Sequence, residues 1–243
     1  MTCELITFAV KEEARPFQKL IGPHSDLCVL LTGIGQRNAD KAIRNALDQQ
    51  TPKLVLTCGF AGGLNPELTA GDVVFSTDED LSSRRGNEAD SPLNVQAPPP
   101  CVRGYEPCLS AALLASGARP AKFHCAEKVV VTAEEKRALR QSTGADAVEM
   151  ESGVIRRICR EHKIPVATVR VISDAADEDL PLDFNRLMDA GHNLSYGRLA
   201  LALLKSPGRI GSVIKLQKRT QAAAEKLAEV LVKIISTPKQ AQP

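Results

Sequence analysis

The chain has 243 residues, of which 43% are hydrophobic, enough to build the core of one large α/β domain or two small ones. Its 31 basic and 29 acidic residues leave a net charge of only +2, so no overall charge attracts it to nucleic acid or to an anionic membrane. Tryptophan is absent and aromatic residues make up 3%, which disfavours a base-stacking surface for nucleic acid.

The predicted elements alternate along the chain. Apolar, β-rich runs predict strands near residues 4–10, 27–32, 54–58, 72–77, 122–131, 145–149 and 165–172. Helical patterns fall near residues 13–21, 37–50, 107–117, 133–142, 151–163, 195–205 and 219–235. This alternation predicts an α/β fold, a single three-layer domain over residues 1–236 whose central twisted sheet is mixed or largely parallel and flanked by helices.

Two segments fall outside this pattern. Residues 78–104 combine charges and serines with a run of prolines, which predicts a long irregular loop. Such a loop is a lid, a partner contact or a disordered segment, and the sequence does not choose among them. Residues 237–243 are predicted to be a flexible tail.

The N-terminus and the cysteines predict a cytoplasmic protein. The first residues lack the features of a secretory signal, and no apolar run approaches the roughly 18 residues of a membrane span. The 7 scattered cysteines fit free thiols in a reducing compartment. Cys159 and His162 lie three residues apart, but no second pair completes the roughly four ligands of a closed metal site, so we expect no metal.

Three carboxylates stand where a purely structural role is hard to justify. Glu151 heads the apolar face of a predicted helix, where it either bonds backbone N–H groups at the helix start or binds a ligand. Asp174 follows a strand, at the end where open α/β sheets bind ligands, or it caps the next turn. Glu13 follows the first strand and also suits the first turn of a helix. Together, the three acids are predicted to converge on one cleft.

Two glycine-rich turns follow predicted strands, Gly33–Gly35 and Gly59–Gly63. Glycines there let the backbone approach a ligand closely and expose N–H groups. Neither turn has the spacing of a dinucleotide loop or of a nucleotide-triphosphate loop. We therefore expect no cofactor of either kind.

Four sequence blocks, in this order and spacing, carry a resemblance to a known superfamily. They are Glu12–Ala14, Gly33–Gly35, Gly59–Gly63 continuing to Gly71–Val74, and Val148–Glu151 with Ser173–Asp177. The sequence resembles the nucleoside phosphorylase and nucleosidase superfamily, and within it the methylthioadenosine/S-adenosylhomocysteine nucleosidases. The resemblance implies a purine nucleoside N-ribosyl hydrolase without cofactor, acting on an adenosine-type nucleoside as a homodimer or larger oligomer.

The resemblance also implies a role for each matching residue. Glu13 activates the attacking water, and Asp174, oriented by Ser173, protonates or hydrogen-bonds purine N7. Glu151 binds the ribose hydroxyls. The other implied substrate-binding residues are Met150, Glu149, Ala61, Gly62, Val129 and Val130.

The sequence departs from the nucleosidases in two places. Val129 stands where they carry an aromatic residue that stacks on the base, which leaves adenine recognition open. The segment Leu180–Phe184 and the basic segment 205–219 instead resemble a hopanoid-associated phosphorylase branch, which acts on an adenosine carrying a lipid. Residues 199–219 contain leucines and basic residues without an acid, so they form either a membrane-surface contact or a core helix followed by a solvated basic face.

The nucleophile is left open between water and phosphate. The phosphorylases of this superfamily hold phosphate with a Gly-Asp-Pro loop and arginines, and the acid after the first strand favours water instead. Gly35, Arg15 and Arg37 nevertheless lie at the two loops where a phosphate co-substrate would bind, unless both arginines are solvated surface residues. A third alternative is a nucleoside-binding protein that kept the fold without the reaction.

Overall fold

The computed structural model describes residues 3–22, 26–77, 106–189, 208 and 210–236. Its strands are β1 (Glu4–Phe8), β2 (Leu27–Leu31), β3 (Leu54–Gly63), β4 (Val73–Thr77), β5 (Arg119–Pro120), β6 (Phe123–Cys125), β7 (Ala147–Glu149) and β8 (Val166–Asp174). Its helices are α1 (Lys11–Ile21), α2 (Gln36–Gln49), α3 (Glu106–Ala115), α4 (Ala133–Thr143), α5 (Ser152–Glu161), α6 (Phe184–Leu187) and α7 (Ile210–Ser236). The predicted loop at 78–104, helix at 195–205 and tail at 237–243 lie outside the described residues.

The strands form one mixed sheet. Its order is β2-β1-β3-β8-β4-β5, and β7 pairs with the far end of β3 while β6 pairs with β7. β2, β1, β3 and β8 run parallel, whereas β4 is antiparallel to β8. The predicted α/β class with a mixed sheet is confirmed.

Helices cover both faces of this sheet because both faces of its central strands are apolar. On one face, side chains of β1, β3 and β8 pack with Phe17 of α1, Leu113 of α3 and Leu227 of α7. On the other face, the opposite side chains of the same strands pack with Ile43 of α2 and Ile158 of α5. Each fully buried Leu, Ile or Phe contributes roughly 1.5–3 kcal/mol, so these two layers hold the central strands rigidly.

The parallel strands bring three chain segments to one edge of the sheet. Because β1, β3 and β8 are neighbours and run the same way, their carboxyl ends lie side by side. β7 joins that edge through antiparallel pairing of Val148 with Gly62 and of Ala147 with Gly63. The residues after β1, in the last part of β3, after β7 and at the end of β8 therefore meet.

The boundaries of the strands predicted at 122–131 and 54–58 differ from the structure for physical reasons. The strand predicted at 122–131 is wrong beyond Cys125, because the backbone of Val129 pairs with the side chain of Asn185 instead of a strand. β3 instead runs on to Gly63, since its glycines allow close approach. A Cβ at Gly63 would lie 3.1 Å from the carbonyl oxygen of Asp174.

The last helix is longer than its apolar stripe. α7 begins at Ile210 rather than near residue 219, but its buried residues start at Ala223. Its first turns are mostly exposed, so no hydrophobic pattern marked them in the sequence. Among the helices that the structure describes, none combines the length and the hydropathy that crossing a bilayer requires.

Candidate active site

A cavity of about 280 Å³ opens at the edge where β1, β3, β7 and β8 end. This volume is close to the lower end of the roughly 300–1,000 Å³ typical of small-molecule sites. The residues around it come from every segment that meets at this edge. They are Ala9, Val10, Glu13, Ile34, Phe60, Ala61, Gly62, Lys128, Val129, Val130, Val148, Glu149, Met150, Glu151, Ser173, Asp174, Leu180, Phe184, Met188, Leu216 and Thr220.

Glu13 reaches the cavity from the first turn of α1. Its Oε2 accepts hydrogen bonds from the backbone N–H of Ala9 at 2.9 Å and of Val10 at 3.2 Å, and its Oε1 accepts one from Phe60 at 2.9 Å. It therefore caps its own helix and also ties α1 to β3. Burial raises the pKa of Glu13, which makes its carboxylate a stronger base for a proton from a bound nucleophile.

Gly59 provides the space that Glu13 occupies. Its φ is +149°, and a Cβ at this position would lie 2.7 Å from Oε1 of Glu13. A contact that short requires the carboxylate or the strand to shift. Gly59, which lies in β3 and not in the predicted turn, is therefore required for the position of this carboxylate.

Arg170, in the middle of β8, holds the acidic residues together. Its Nη2 lies 2.8 Å from Oε2 of Glu149 and 3.9 Å from Oε2 of Glu151, and its guanidinium also donates to the backbone and hydroxyl oxygens of Thr57. Arg170 is 1% exposed. Arg170 was not among the predicted site residues, although a charge between Val169 and Val171 in an otherwise apolar strand was a usable signal.

The carboxylate of Glu149 is engaged in hydrogen bonds within the protein. Its carboxylate accepts the N–H groups of Glu151 and Ser152 as well as the hydroxyl of Ser152, besides the ion pair with Arg170. Burial alone would raise the pKa of Glu149, but Arg170 and these N–H groups hold it below its ordinary value. Glu149 thus caps α5 and orients its neighbours, although its side chain also borders the cavity.

Glu151 is the carboxylate left available at the start of α5. It makes no side-chain cap bond to its own helix, and its Oε1 accepts the N–H of Gly35 at 2.8 Å. Burial and the neighbouring charge of Glu149 raise the pKa of Glu151 to about 7. The helix-cap alternative for Glu151 is therefore wrong, because Glu149 takes that role.

Asp174 ends β8 with both carboxylate oxygens engaged. Oδ1 accepts the hydroxyl of Ser173 at 2.5 Å, and the same hydroxyl also lies 3.2 Å from the carbonyl oxygen of Ala61. Oδ2 lies 2.5 Å from Nζ of Lys136, a residue of α4 that is 0% exposed. The predicted pairing of Ser173 with Asp174 is present in the structure, whereas Lys136 was missed because nothing local in its helix distinguishes it.

The other predicted binding residues fall into two groups. Met150, Ala61, Gly62, Val129 and Val130 all border the cavity, as predicted. Gly35 does not border it, but its N–H holds Glu151, and its neighbour Ile34 is part of the wall.

The two arginines for which phosphate binding and a solvated surface position were both left open do not belong to this site. Arg15 and Arg37 are exposed, and neither borders the cavity. In α1 the buried face carries Glu13, Ala14 and Phe17, so the side chain of Arg15 leaves the helix on the solvent side. The described residues contain no group of three or more His, Cys, Asp or Glu side chains that could hold a metal ion.

Comparison with known proteins agrees with this architecture. The family model of the phosphorylase superfamily matches residues 9–205. A 5′-methylthioadenosine/S-adenosylhomocysteine nucleosidase of Shewanella halifaxensis is 26% identical over 189 residues, which cover 74% of this chain and 81% of that protein.

Solved structures show the same fold at low sequence identity. The 5′-methylthioadenosine/S-adenosylhomocysteine nucleosidase of Campylobacter jejuni has a TM-score of 0.64 at 18% identity, with 97% of this chain and 99% of that chain covered. The futalosine hydrolase of Helicobacter pylori has a TM-score of 0.59 at 20% identity, with 95% and 97% covered. The family match spans most of the chain, and the fold and the order of its motifs agree with it: the chain belongs to the phosphorylase superfamily.

Proposed function

We propose that this protein hydrolyses the N-glycosidic bond of an adenosine-type nucleoside such as methylthioadenosine or S-adenosylhomocysteine. The observation that carries the proposal is the convergence of Glu13, Glu151 and Asp174 on one cavity. Similarity to methylthioadenosine/S-adenosylhomocysteine nucleosidases supports the substrate class.

The three acids suit the charges that develop in this reaction. As the bond between C1′ and the base breaks, positive charge grows on the sugar and negative charge on the purine. Glu151 binds the ribose hydroxyls, Asp174 provides the proton or hydrogen bond at purine N7, and Glu13 takes a proton from the attacking water. General acid or base catalysis of this kind is typically worth about 10²- to 10⁴-fold for each proton transfer.

Water is favoured over phosphate as the nucleophile. Apart from the exposed Lys128, the described residues that border the cavity include no cation, and Arg170 is already paired with acidic side chains. Buried acids beside the sugar repel a phosphate dianion, whereas Glu13 activates a water. Phosphorolysis is therefore the second candidate reaction.

Part of the described cavity wall favours an apolar 5′ substituent. Leu180, Phe184, Met188 and Leu216 contribute apolar side chains there. Burying a charged amino acid group against such a wall would cost free energy without a partner. We therefore expect methylthioadenosine to be a better substrate than S-adenosylhomocysteine.

A chromatographic assay of released base tests the proposed function. Methylthioadenosine, S-adenosylhomocysteine, adenosine and inosine are incubated with the protein, with and without inorganic phosphate. Release of adenine and free sugar without phosphate supports the hydrolase. Dependence on phosphate, with formation of a sugar 1-phosphate, would establish a phosphorylase, and binding without turnover would establish a nucleoside-binding protein.

Nucleoside affinity should fall as the pH drops below about 7. Burial and the charge of Glu149 raise the pKa of Glu151 to about 7, and the ionised carboxylate is the better acceptor for ribose hydroxyls. Binding therefore releases a proton at low pH, which weakens affinity there. Calorimetric titration with a non-cleavable methylthioadenosine analogue, from about pH 5.5 to about pH 8, measures this dependence. Glu151→Gln should bind more weakly and lose this part of the pH dependence; equal pH slopes in both proteins would contradict the assignment.

A further inference from the structure

Lys136 is a buried cation in direct contact with the residue that faces the leaving base. Its Nζ lies 2.5 Å from Oδ2 of Asp174 and donates to the carbonyl oxygens of Ala175 and Glu178, each at 2.7 Å. These three acceptors match the three protons of an ammonium group. Lys136 is therefore charged and held in one orientation.

A contribution to folding stability does not explain why this ion pair is present. Taking an ammonium and a carboxylate out of water costs several kcal/mol for each ion, and apolar replacements of such pairs are often neutral or stabilising. Lys136 also lies near the N-terminus of α4, where the helix dipole does not favour a cation. A costly pair whose carboxylate, that of Asp174, borders the cavity therefore points to a role in the reaction.

The segment after Asp174 is anchored by a second cation with a different role. Arg219 of α7 contacts both carboxylate oxygens of Glu178, at 2.9 and 2.6 Å, and donates to the carbonyl oxygen of Ser173 at 3.1 Å. It binds the loop around Asp174 but not its carboxylate. Among the described residues, Lys136 makes the ion pair with that carboxylate.

We propose that Lys136 is a positioning residue that stabilises Asp174 as a carboxylate while purine N7 takes up a proton; this inference rests on the proposed hydrolase function. Asp174 takes up a proton from solvent as the nucleoside binds; when the bond from C1′ to N9 breaks, its electron pair passes to the purine and this proton moves from Asp174 to N7. Water adds its hydroxyl to C1′ and gives a proton to Glu13. Asp174 is then negatively charged. The ammonium of Lys136 at Oδ2 stabilises this carboxylate more than it stabilises the protonated acid. The ion pair therefore lowers the energy of the transition state relative to the ground state.

The test compares two leaving groups. The purine of methylthioadenosine leaves with help at N7, whereas the p-nitrophenolate of p-nitrophenyl β-D-ribofuranoside leaves without a proton. We expect Lys136→Met to lower kcat for methylthioadenosine by roughly 10²-fold and that for the nitrophenyl riboside by less than about threefold. Lys136→Arg, which keeps the charge, should retain more activity on methylthioadenosine than Lys136→Met.

Lys122→Met is the matched control. Lys122 is exposed and donates to the carbonyl oxygen of Thr143 at the end of the same helix, without bordering the cavity. Both substrates should be cleaved at the wild-type rate. An equal loss on both substrates for Lys136→Met, or no loss on either, would overturn the inference.

A double variant keeps the test decisive if Lys136→Met does not fold. Asp174→Asn with Lys136→Met removes both charges and leaves no unpaired buried carboxylate. In the Asp174→Asn background, the added Lys136→Met should change kcat by less than about threefold, because both act on one step. A full multiplicative loss would contradict the inference. Wild-type protein that cleaves no nucleoside would instead refute the proposed function.

Discussion

Replacing Asp174 with Asn should lower kcat on methylthioadenosine by about 10²- to 10⁴-fold while nucleoside binding remains measurable. Asparagine has nearly the same shape and keeps a hydrogen-bonding oxygen, but it has no acidic proton to transfer to N7. The loss should therefore appear in kcat rather than in affinity. Steady-state kinetics, combined with calorimetric binding of a non-cleavable analogue, would measure the two effects separately.

Asp177→Asn is the control for this experiment. Asp177 lies in the loop that follows Asp174 but is exposed and does not border the cavity. Its replacement should leave kcat and affinity unchanged. Near-normal turnover by Asp174→Asn would refute the role of Asp174, and an equal loss in Asp177→Asn would show that the loop, rather than the carboxylate, is being perturbed.

Replacing Arg170 with Met should destabilise the protein by about 3–5 kcal/mol at neutral pH, because removing one partner of a buried ion pair leaves an uncompensated charge. Methionine fills much of the space but leaves Glu149, which is completely buried, without its cation. Urea unfolding measures the change in the free energy of unfolding. The destabilisation should shrink as the pH falls, since the unpaired carboxylates then take up protons.

Two further variants decide what this loss means. Arg157→Met removes two ion pairs, with Asp40 and Glu161, in which the Arg157 side chain is 54% exposed, so it should cost no more than about 1 kcal/mol. Glu149→Gln combined with Arg170→Met should recover part of the stability, because the unpaired charge is gone. If Arg170→Met costs as little as Arg157→Met, Arg170 is not what holds the acidic residues together.

The convergence of the acids followed from the sequence because it depends on strand order and direction. Glu13 and Asp174 come at the ends of apolar runs, and the carboxyl ends of neighbouring parallel strands share one edge. The resemblance then suggested which acid has which role. The superfamily assignment is confirmed by the family match, while the individual roles stay predictions.

The cations of the site were harder to predict, since their partners are distant in the sequence. Lys136 is one of several charged residues in α4, and only the folded chain brings it to Asp174. Arg15 and Arg37 lie next to the loops where phosphate would bind, which left phosphate binding open beside a solvated surface position. Each lies on the exposed side of its helix, however, and proximity along the chain does not specify that direction.

The strand predicted across Val129 failed for a related reason. A run of valines has high β-propensity, but a strand also needs a neighbour with which to pair. Asn185 satisfies both backbone groups of Val129 instead, which leaves this segment as a loop at the wall of the cavity. Local preference was overridden by a side chain from a distant part of the chain.

The tight fit between Gly59 and Glu13 also limits how this enzyme can be engineered. Any side chain at Gly59 would collide with the carboxylate, so this position of β3 cannot be varied without disturbing the proposed catalytic base. Val129, Leu180 and Phe184 also border the cavity, and none of the three carries a charge whose removal would leave a partner unpaired. Libraries intended to alter substrate preference should therefore vary these three positions and leave Gly59 untouched.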